Sequence, residues 1–159
     1  MNAIGPDVLK IDYEREADQI ASRMREITGR QLHRRGLVVA ISGGIDSSVC
    51  AALAVRALGA DRVFTLILPE RDSSTDSAAR AGVLARHLGV RAETTDIAPT
   101  LEAIGCYRAR DEAVRSVLPD YGPGWTFKIV IDGGTEGRVN SFRLIARDPD
   151  GVLHDRQLG

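Results

Sequence analysis

"VVAISGGIDSSVCAAL" (residues 38–53) joins two hydrophobic segments through a short loop of serine and glycine. The uncharged, β-branched run "GLVVAI" (36–41) predicts a strand covered on both faces. Alanine and leucine dominate from residue 46 to 58, which predicts a helix that Gly59 ends. The loop between them therefore connects a strand to the helix that follows it.

The same alternation of strand and helix extends on both sides of this loop. Apolar residues at spacings of three and four predict a helix over about 13–33. After the loop and its helix, we predict a strand at 62–68, a helix ending at Gly89, a strand at 90–97 and mostly helix over 100–118. Short connections between such elements indicate crossovers and a parallel sheet. The predicted fold class is α/β, a Rossmann-like parallel sheet with flanking helices.

The pattern changes beyond Tyr121. "GWTFKIVID" (124–132) and "RVNSFRLIAR" (138–147) alternate or run β-branched, "DPDG" (148–151) is a turn, and "VLHDRQL" reads as a further strand. We predict a C-terminal antiparallel hairpin or meander. The predicted domains are a nucleotide-binding α/β core over 1–120 and this extension over 121–159.

Composition and charge exclude several classes of protein. The formal net charge of -1, with no long Lys/Arg run, argues against a nucleic-acid-binding surface. No apolar run is long enough for a membrane span, and the acidic N-terminal stretch is unlike a signal peptide. Cys50 and Cys106 lack metal-ligand spacing, so we expect two reduced, buried thiols in a cytoplasmic protein.

The loop over residues 42–48, which we call the phosphate loop, has the features of an anion site. Ligands of open α/β sheets bind at the carboxyl ends of the strands, where this loop is expected to lie. Gly43 and Gly44 allow a sharp turn and close approach, and the following helix start offers unpaired N–H groups with a positive dipole end. Ser42, Ser47 and Ser48 add hydroxyl groups.

Asp46 stands among these phosphate donors, where its charge would repel a phosphate unless a cation lay between them. We therefore predict that Asp46 is a magnesium ligand, directly or through water. The simpler alternative is a strand-to-helix turn in which Asp46 or Ser47 only caps the helix. The sequence contains neither G-x-x-x-x-G-K-[ST] nor G-x-G-x-x-G at this place.

"SGGIDSS" resembles the pyrophosphate loop of the N-type ATP pyrophosphatases, a superfamily of adenine nucleotide alpha hydrolase-like fold that cleaves ATP between its α and β phosphates. "LPERDSS" (68–74) and "TTDIAPT" (94–100) are similar to segments that follow the second and third strands of NAD synthases. The resemblance covers residues 13 to about 105.

The resemblance implies roles for individual residues. Those around the β and γ phosphates of ATP would be Ser42, Gly43, Gly44, Asp46, Ser47 and Ser48, with Asp46 also touching Mg²⁺. The backbone at Leu68, with Arg71 and Ser74 nearby, would border the adenine and ribose. Alternatives remain open for two of these, since Arg71 could be a solvated loop charge and Ser74 a helix N-cap.

The implied activity is that of an ATP-dependent, AMP-forming amide ligase with ATP and Mg²⁺ as cofactors. It would adenylate a small-molecule carboxylate, deamido-NAD by resemblance, and amidate it with ammonia. No side-chain nucleophile is required, so no residue is assigned a catalytic role. Two alternatives stay open: an adenylating amidotransferase for another carboxylate, and a non-catalytic module that binds ATP or AMP.

The sequence also departs from the NAD synthase pattern. Synthase domains of the family are longer than 159 residues, so we expect a fragment, a truncated product or a diverged relative whose activity is in question. Residues 107–159 do not resemble the helical continuation of housekeeping NAD synthases. A three-stranded core buries little surface, which leads us to expect a homodimer formed through residues 100–118.

Overall fold

The computed structural model describes residues 10–132 and 141–158 of the chain. The helices are Tyr13–Glu26 (α1), Ile45–Leu58 (α2), Thr75–Leu88 (α3), Ala98–Ala103 (α4) and Cys106–Val117 (α5). The strands are Leu37–Ala40 (β1), Val63–Ile67 (β2), Arg91–Thr94 (β3), Thr126–Asp132 (β4), Ser141–Arg147 (β5) and Leu153–Leu158 (β6). A π-helical turn (Ile27–Gln31) extends α1, and a 3-10 turn (Ala60–Arg62) leads into β2.

The first three strands form a parallel sheet, as predicted, and the structure gives their order as β1-β2-β3. Leu37 pairs with Val63, and Phe64 pairs with Arg91, so the three strands begin at the same edge. Helices α2 and α3 form the two crossovers. Their small residues allow close packing on one sheet face; the buried cluster there comprises Ile41, Ala51, Ala54, Val63, Ile67, Ala81, Ala85 and Val90.

The opposite face of this sheet, which we call the open face, carries Val38, Ala40, Phe64 and Leu66. Val38 is 64% exposed, and Phe64 and Leu66 are only partly buried. The prediction that β1 is covered on both faces is therefore wrong. An uncharged run of β-branched residues occurs in strands covered on one face as well as in strands covered on both. The run alone therefore does not distinguish the two arrangements.

The last three strands form an antiparallel sheet in the order β4-β5-β6, which confirms the predicted meander. Residues 138–140 of the second predicted strand lie outside the described residues. Helix α5 packs against this sheet through a second buried cluster that includes Val114, Leu118, Leu144 and Ala146. The "DPDG" turn connects β5 to β6, and the Gly151 N–H donates to the Asp148 carbonyl at 3.0 Å.

The chain divides into two compact units between Ala98 and Pro99. This division lies earlier than the boundary expected at residue 120, because α5 shares its core with the antiparallel sheet. The extent of the nucleotide-binding domain as a functional unit stays a prediction.

The structure also bears on the segment 100–118, on the two cysteines and on the length of the helices. The segment 100–118 is two short helices separated by Gly105, whose φ of 77° ends one and starts the other. Cys50 and Cys106 are both free, as expected, but both are exposed, so the expectation of buried thiols is wrong. In the described part of the chain, no helix is long and apolar enough to cross a membrane.

Candidate functional site

The phosphate loop begins where β1 stops pairing with β2. The Ile41 N–H still donates to the Leu66 carbonyl at 2.9 Å, and α2 starts only four residues later at Ile45. Ile41 is buried, whereas Ser42 and Gly44 are exposed. The loop thus lies at the carboxyl edge of the parallel sheet, with its backbone open to solvent, in the position where α/β sheets bind ligands.

Gly43 and Gly44 meet different constraints. Gly43 has a φ of 76°, and a Cβ there would lie 2.4 Å from the Ser77 carbonyl oxygen and 3.1 Å from the Arg80 Cβ. Only glycine fits this position, because both the backbone conformation and the contact with α3 exclude a side chain. Gly44 has an ordinary φ of -85°, and its nearest neighbour would be the Ser42 Oγ at 3.4 Å. The turn therefore requires the first glycine, and the second leaves exposed backbone without a side chain.

The three serine hydroxyl groups of the loop hold the loop itself. Ser47 Oγ accepts a hydrogen bond from the Ser42 N–H at 3.2 Å and donates to the Gly44 carbonyl at 3.1 Å. Ser48 Oγ donates to the same carbonyl at 2.7 Å, and Ser42 Oγ accepts from the Gly44 N–H at 3.4 Å. These bonds preorganise the turn. Direct contact between the hydroxyl groups and a nucleotide stays a prediction.

Helix α2 presents its start to solvent. Its N-cap is Gly44, which supplies no side-chain cap for the N–H groups of the first turn. Such N–H groups, with the positive end of the helix dipole, favour an anion. The alternative in which Asp46 or Ser47 acts as the N-cap is not what the structure has, since both lie inside the helix.

Asp46 lies in the first turn of α2, and its side chain is exposed. In the described residues, no group of three or more His, Cys, Asp and Glu could hold a metal ion. A lone carboxylate beside a phosphate site suits Mg²⁺, which takes its remaining ligands from phosphate oxygens and water rather than from an all-protein cage. The residues therefore fit a magnesium ion that arrives with a nucleotide.

A small cavity of about 130 Å³ adjoins the loop and the segment after β2. Two predicted site residues, Ser42 and Leu68, line it, together with Ser73 and Ser77, which the sequence analysis did not select. No helical spacing relates the two in the sequence, because Ser73 precedes Ser74, the N-cap of α3, and only Ser77 lies within the helix. Their place beside Ser42 depends on how the start of α3 packs against the loop.

Arg71 and Ser74 do not line this cavity. Arg71 is exposed, and its Nε lies 3.4 Å from the Asp72 carboxylate. Ser74 occupies the N-cap position of α3 without a side-chain cap bond, and its Oγ lies 3.3 Å from the Ser77 Oγ. The structure brings the other predicted residues, 42–48 and 68, to one edge of the sheet. The ligand-binding roles of all these residues, like those of Arg71 and Ser74, stay predictions.

Comparison with protein families gives a match to a model described as NAD synthase over residues 17–117. Among curated proteins, the chain is 51% identical over 146 residues to an NH3-dependent NAD+ synthetase of Rhizobium meliloti, covering 91% of this chain and 43% of that protein. It is 46% identical over 147 residues to the protein of the same name from Mesorhizobium japonicum, covering 92% and 46%. The chain thus spans less than half the length of these relatives.

Solved structures show the same similarity. An NH3-dependent NAD synthetase from Campylobacter jejuni matches with a TM-score of 0.56 and 26% identity, over 62% of this chain and 42% of that one. An NMN synthetase from Francisella tularensis matches with a TM-score of 0.55 and 25% identity, over 64% and 41%. Both matches cover less than half of the longer chain.

Proposed function

The chain belongs to the NAD synthase family, whose model matches residues 17–117, and we propose on that premise that it functions as an ATP-dependent, AMP-forming amide ligase. One observation carries the proposal: the phosphate loop lies at the carboxyl edge of a parallel sheet, and its Gly43 packs so closely on α3 that no side chain fits. The exposed helix start of α2 and the Asp46 carboxylate complete a site suited to magnesium-bound triphosphate.

The reaction follows from the chemistry of a carboxylate, which is a poor electrophile because of its charge and its oxide leaving group. A carboxylate oxygen attacks the α phosphorus of ATP, the bond to the β-phosphate oxygen breaks, and pyrophosphate leaves. Ammonia then attacks the carbonyl carbon of the mixed anhydride, AMP leaves, and the nitrogen loses a proton to give the amide.

The residues of the chain act by binding and charge stabilisation. The N–H groups at the start of α2 and the exposed loop backbone hold the β and γ phosphates, so that charge developing on pyrophosphate meets fixed dipoles. Asp46 holds Mg²⁺, which supplies neutralisation of the phosphate oxygens. The segment at Leu68 and Ser77, which lines the small cavity beside the loop, borders the nucleoside part. No side chain needs to form a covalent intermediate.

We assign deamido-NAD as the acceptor and ammonia as the nitrogen donor. The relatives at 51% and 46% identity are named NH3-dependent NAD+ synthetases, which supports this assignment. The more distant Francisella structure is named an NMN synthetase, so another carboxylate is the second candidate. The two free, exposed cysteines are in keeping with a cytoplasmic location, where thiols stay reduced.

The test is pyrophosphate release from the purified protein with magnesium-ATP, ammonia and deamido-NAD, followed by quantification of AMP and NAD. We expect one pyrophosphate and one AMP for each NAD, with no release when the acceptor is omitted. The deamido form of NMN serves as the second acceptor, and faster turnover with it would reassign the substrate. Measurable ATP affinity without pyrophosphate from either acceptor would contradict the ligase and identify a nucleotide-binding module.

A further inference from the structure

A larger cavity lies at the other edge of the parallel sheet, remote along each strand from the phosphate loop. Its volume is about 540 Å³, and its lining comes from the residues at the start of β1, β2 and β3. Small-molecule sites commonly have volumes of this order, about 300 to 1,000 Å³. None of its lining residues belongs to the phosphate loop or to the segment 68–78.

Three arginines line this cavity, each at the start of a different strand: Arg35 before β1, Arg62 before β2 and Arg91 as the first residue of β3. The lining contains one carboxylate, Asp61, so its formal charge is +2, three positive groups less one negative. Within residues 10–132 and 141–158, none of the three guanidinium groups forms an ion pair. The cavity lining therefore has a net positive charge that no ion pair among the described residues neutralises.

All three arginines are exposed, and two contacts constrain the cluster. The guanidinium of Arg91 lies over the Phe64 ring, 5.4 Å from its centroid. Gly36 approaches the Arg62 carbonyl so closely that a Cβ would lie 2.4 Å from its oxygen, which brings the chain segments of Arg35 and Arg62 together. The stacking on Phe64 reduces the entropy that the Arg91 side chain would lose on binding.

Arginines at this edge could instead serve the C-terminal ends of α2 and α3, whose dipoles favour cations. The carbonyl groups at both helix ends already have other hydrogen-bond donors. Arg25 donates to the carbonyls of Arg56 and Ala57 at the end of α2, at 3.5 and 3.3 Å. At the end of α3, the N–H groups of Gly89 and Val90 donate to carbonyls of the last turn. The cavity arginines are thus not required as caps.

The cavity also has apolar walls, formed by Leu37, Val38 and Phe64. A guanidinium group binds phosphate oxygens in a fork, and three groups at the starts of neighbouring strands suit an anion with more acceptor oxygens than one carboxylate has. We propose that this cavity binds a phosphate-bearing small molecule of mononucleotide size, with the phosphate on the arginines and the remainder against the apolar walls. This site is distinct from the phosphate loop and does not depend on the ligase activity.

The test follows the side-chain Nε–H resonances of Arg62 and Arg91 by NMR in the isotope-labelled full chain, titrated with AMP in the absence of Mg²⁺. We expect saturable shifts of both resonances with AMP. Adenosine, which lacks the phosphate, and acetate, which offers a single carboxylate, should bind at least about tenfold more weakly at these resonances. These resonances belong to residues at the cavity, so AMP that binds at the phosphate loop is not counted as binding at the cavity.

A matched variant pair extends the test. Arg62→Gln with Arg91→Gln should abolish the AMP-dependent shifts of cavity backbone amides, whereas Arg34→Gln, one residue outside the lining, should leave them unchanged. Absence of saturable shifts at Arg62 and Arg91 in the parent protein would overturn the proposal. Equal affinity for acetate and AMP, or equal loss in the Arg34 variant, would overturn it as well.

Discussion

Gly43 and Gly44 stand side by side but have unequal importance for stability. We expect Gly43→Ala to lower the free energy of unfolding by about 2 kcal/mol or more, because its Cβ would combine a positive φ with a clash against the Ser77 carbonyl. Gly44→Ala is the matched control and should cost under about 1 kcal/mol, since its φ is ordinary and alanine is only a poorer N-cap. Urea denaturation measures both, and equal losses would contradict the distinction.

Asp46 is predicted to bind the metal ion and to contribute little to the free energy of unfolding. Asp46→Asn should weaken magnesium-dependent ATP binding by about tenfold or more, measured by calorimetry, because the variant loses the carboxylate beside the phosphates. Its stability should change by less than about 1 kcal/mol, the usual size of a charge–dipole interaction in a first helical turn.

Asp76 provides the control for this variant, because it is an exposed aspartate in the first turn of α3. Asp76→Asn should have the same small effect on stability and leave ATP affinity unchanged. If Asp46→Asn binds magnesium-ATP as well as the parent protein does, Asp46 is not a metal ligand.

The hairpin of β5 and β6 contains a pH-dependent connection at its turn. Asp148 Oδ2 lies 2.8 Å from His154 Nε2, and Asp148 Oδ1 accepts from the Val152 N–H at 2.8 Å. The hydrogen bond with His154, joined by that from the backbone of Val152, lowers the pKa of Asp148 from its ordinary value. A lowered pKa means that the ionised carboxylate stabilises the folded state.

Asp148 therefore contributes less to the stability of the folded state as the pH becomes acidic. The stabilisation is complete above the pKa that Asp148 has in the unfolded chain, about 3.9, and is lost as the pH falls through its lower folded value. We expect Asp148→Asn to reduce the loss of stability in this acid range, measured as the urea midpoint against pH. Asp150→Asn, in the same turn, is the control and should retain the pH dependence of the parent protein; equal profiles for both variants would contradict this role of Asp148.

The elements also show what can be read from the sequence. Helices α2 and α3 were predictable because alanine and leucine recur at helical spacing and a glycine follows each. The exposure of Val38 beside the partly buried Val39 was not predictable from the sequence, because the element that covers a strand comes from a distant part of the chain.

The candidate site shows the same limit. The letters of "SGGIDSS" predicted an anion site after β1, since glycines and a helix start suffice for that expectation. They could not separate Gly43 from Gly44, because the clash of Gly43 is with Ser77, more than thirty residues away. Ser73 and Ser77 were missed for a similar reason, as their place beside Ser42 depends on the packing of α3.

Assembly of the whole molecule can be tested through Ile104, which lies between α4 and α5 and is 73% exposed. We expect light scattering to give twice the mass of one chain, because a large apolar side chain in the segment 100–118 offers surface for a partner copy. Ile104→Lys should then give the monomer mass. Val83→Lys, on an exposed position of α3, is the control and should leave the dimer intact. A monomeric parent protein at all concentrations would contradict the homodimer.

The open face of β1, β2 and β3 has a thermodynamic consequence. Apolar groups such as Val38 that already touch water in the native chain add little new hydrated area when the sheet melts. The heat-capacity increment and the urea slope both scale with that newly hydrated area. This protein should therefore have a shallow denaturation curve for its length, and a stability that varies little between cold and warm conditions.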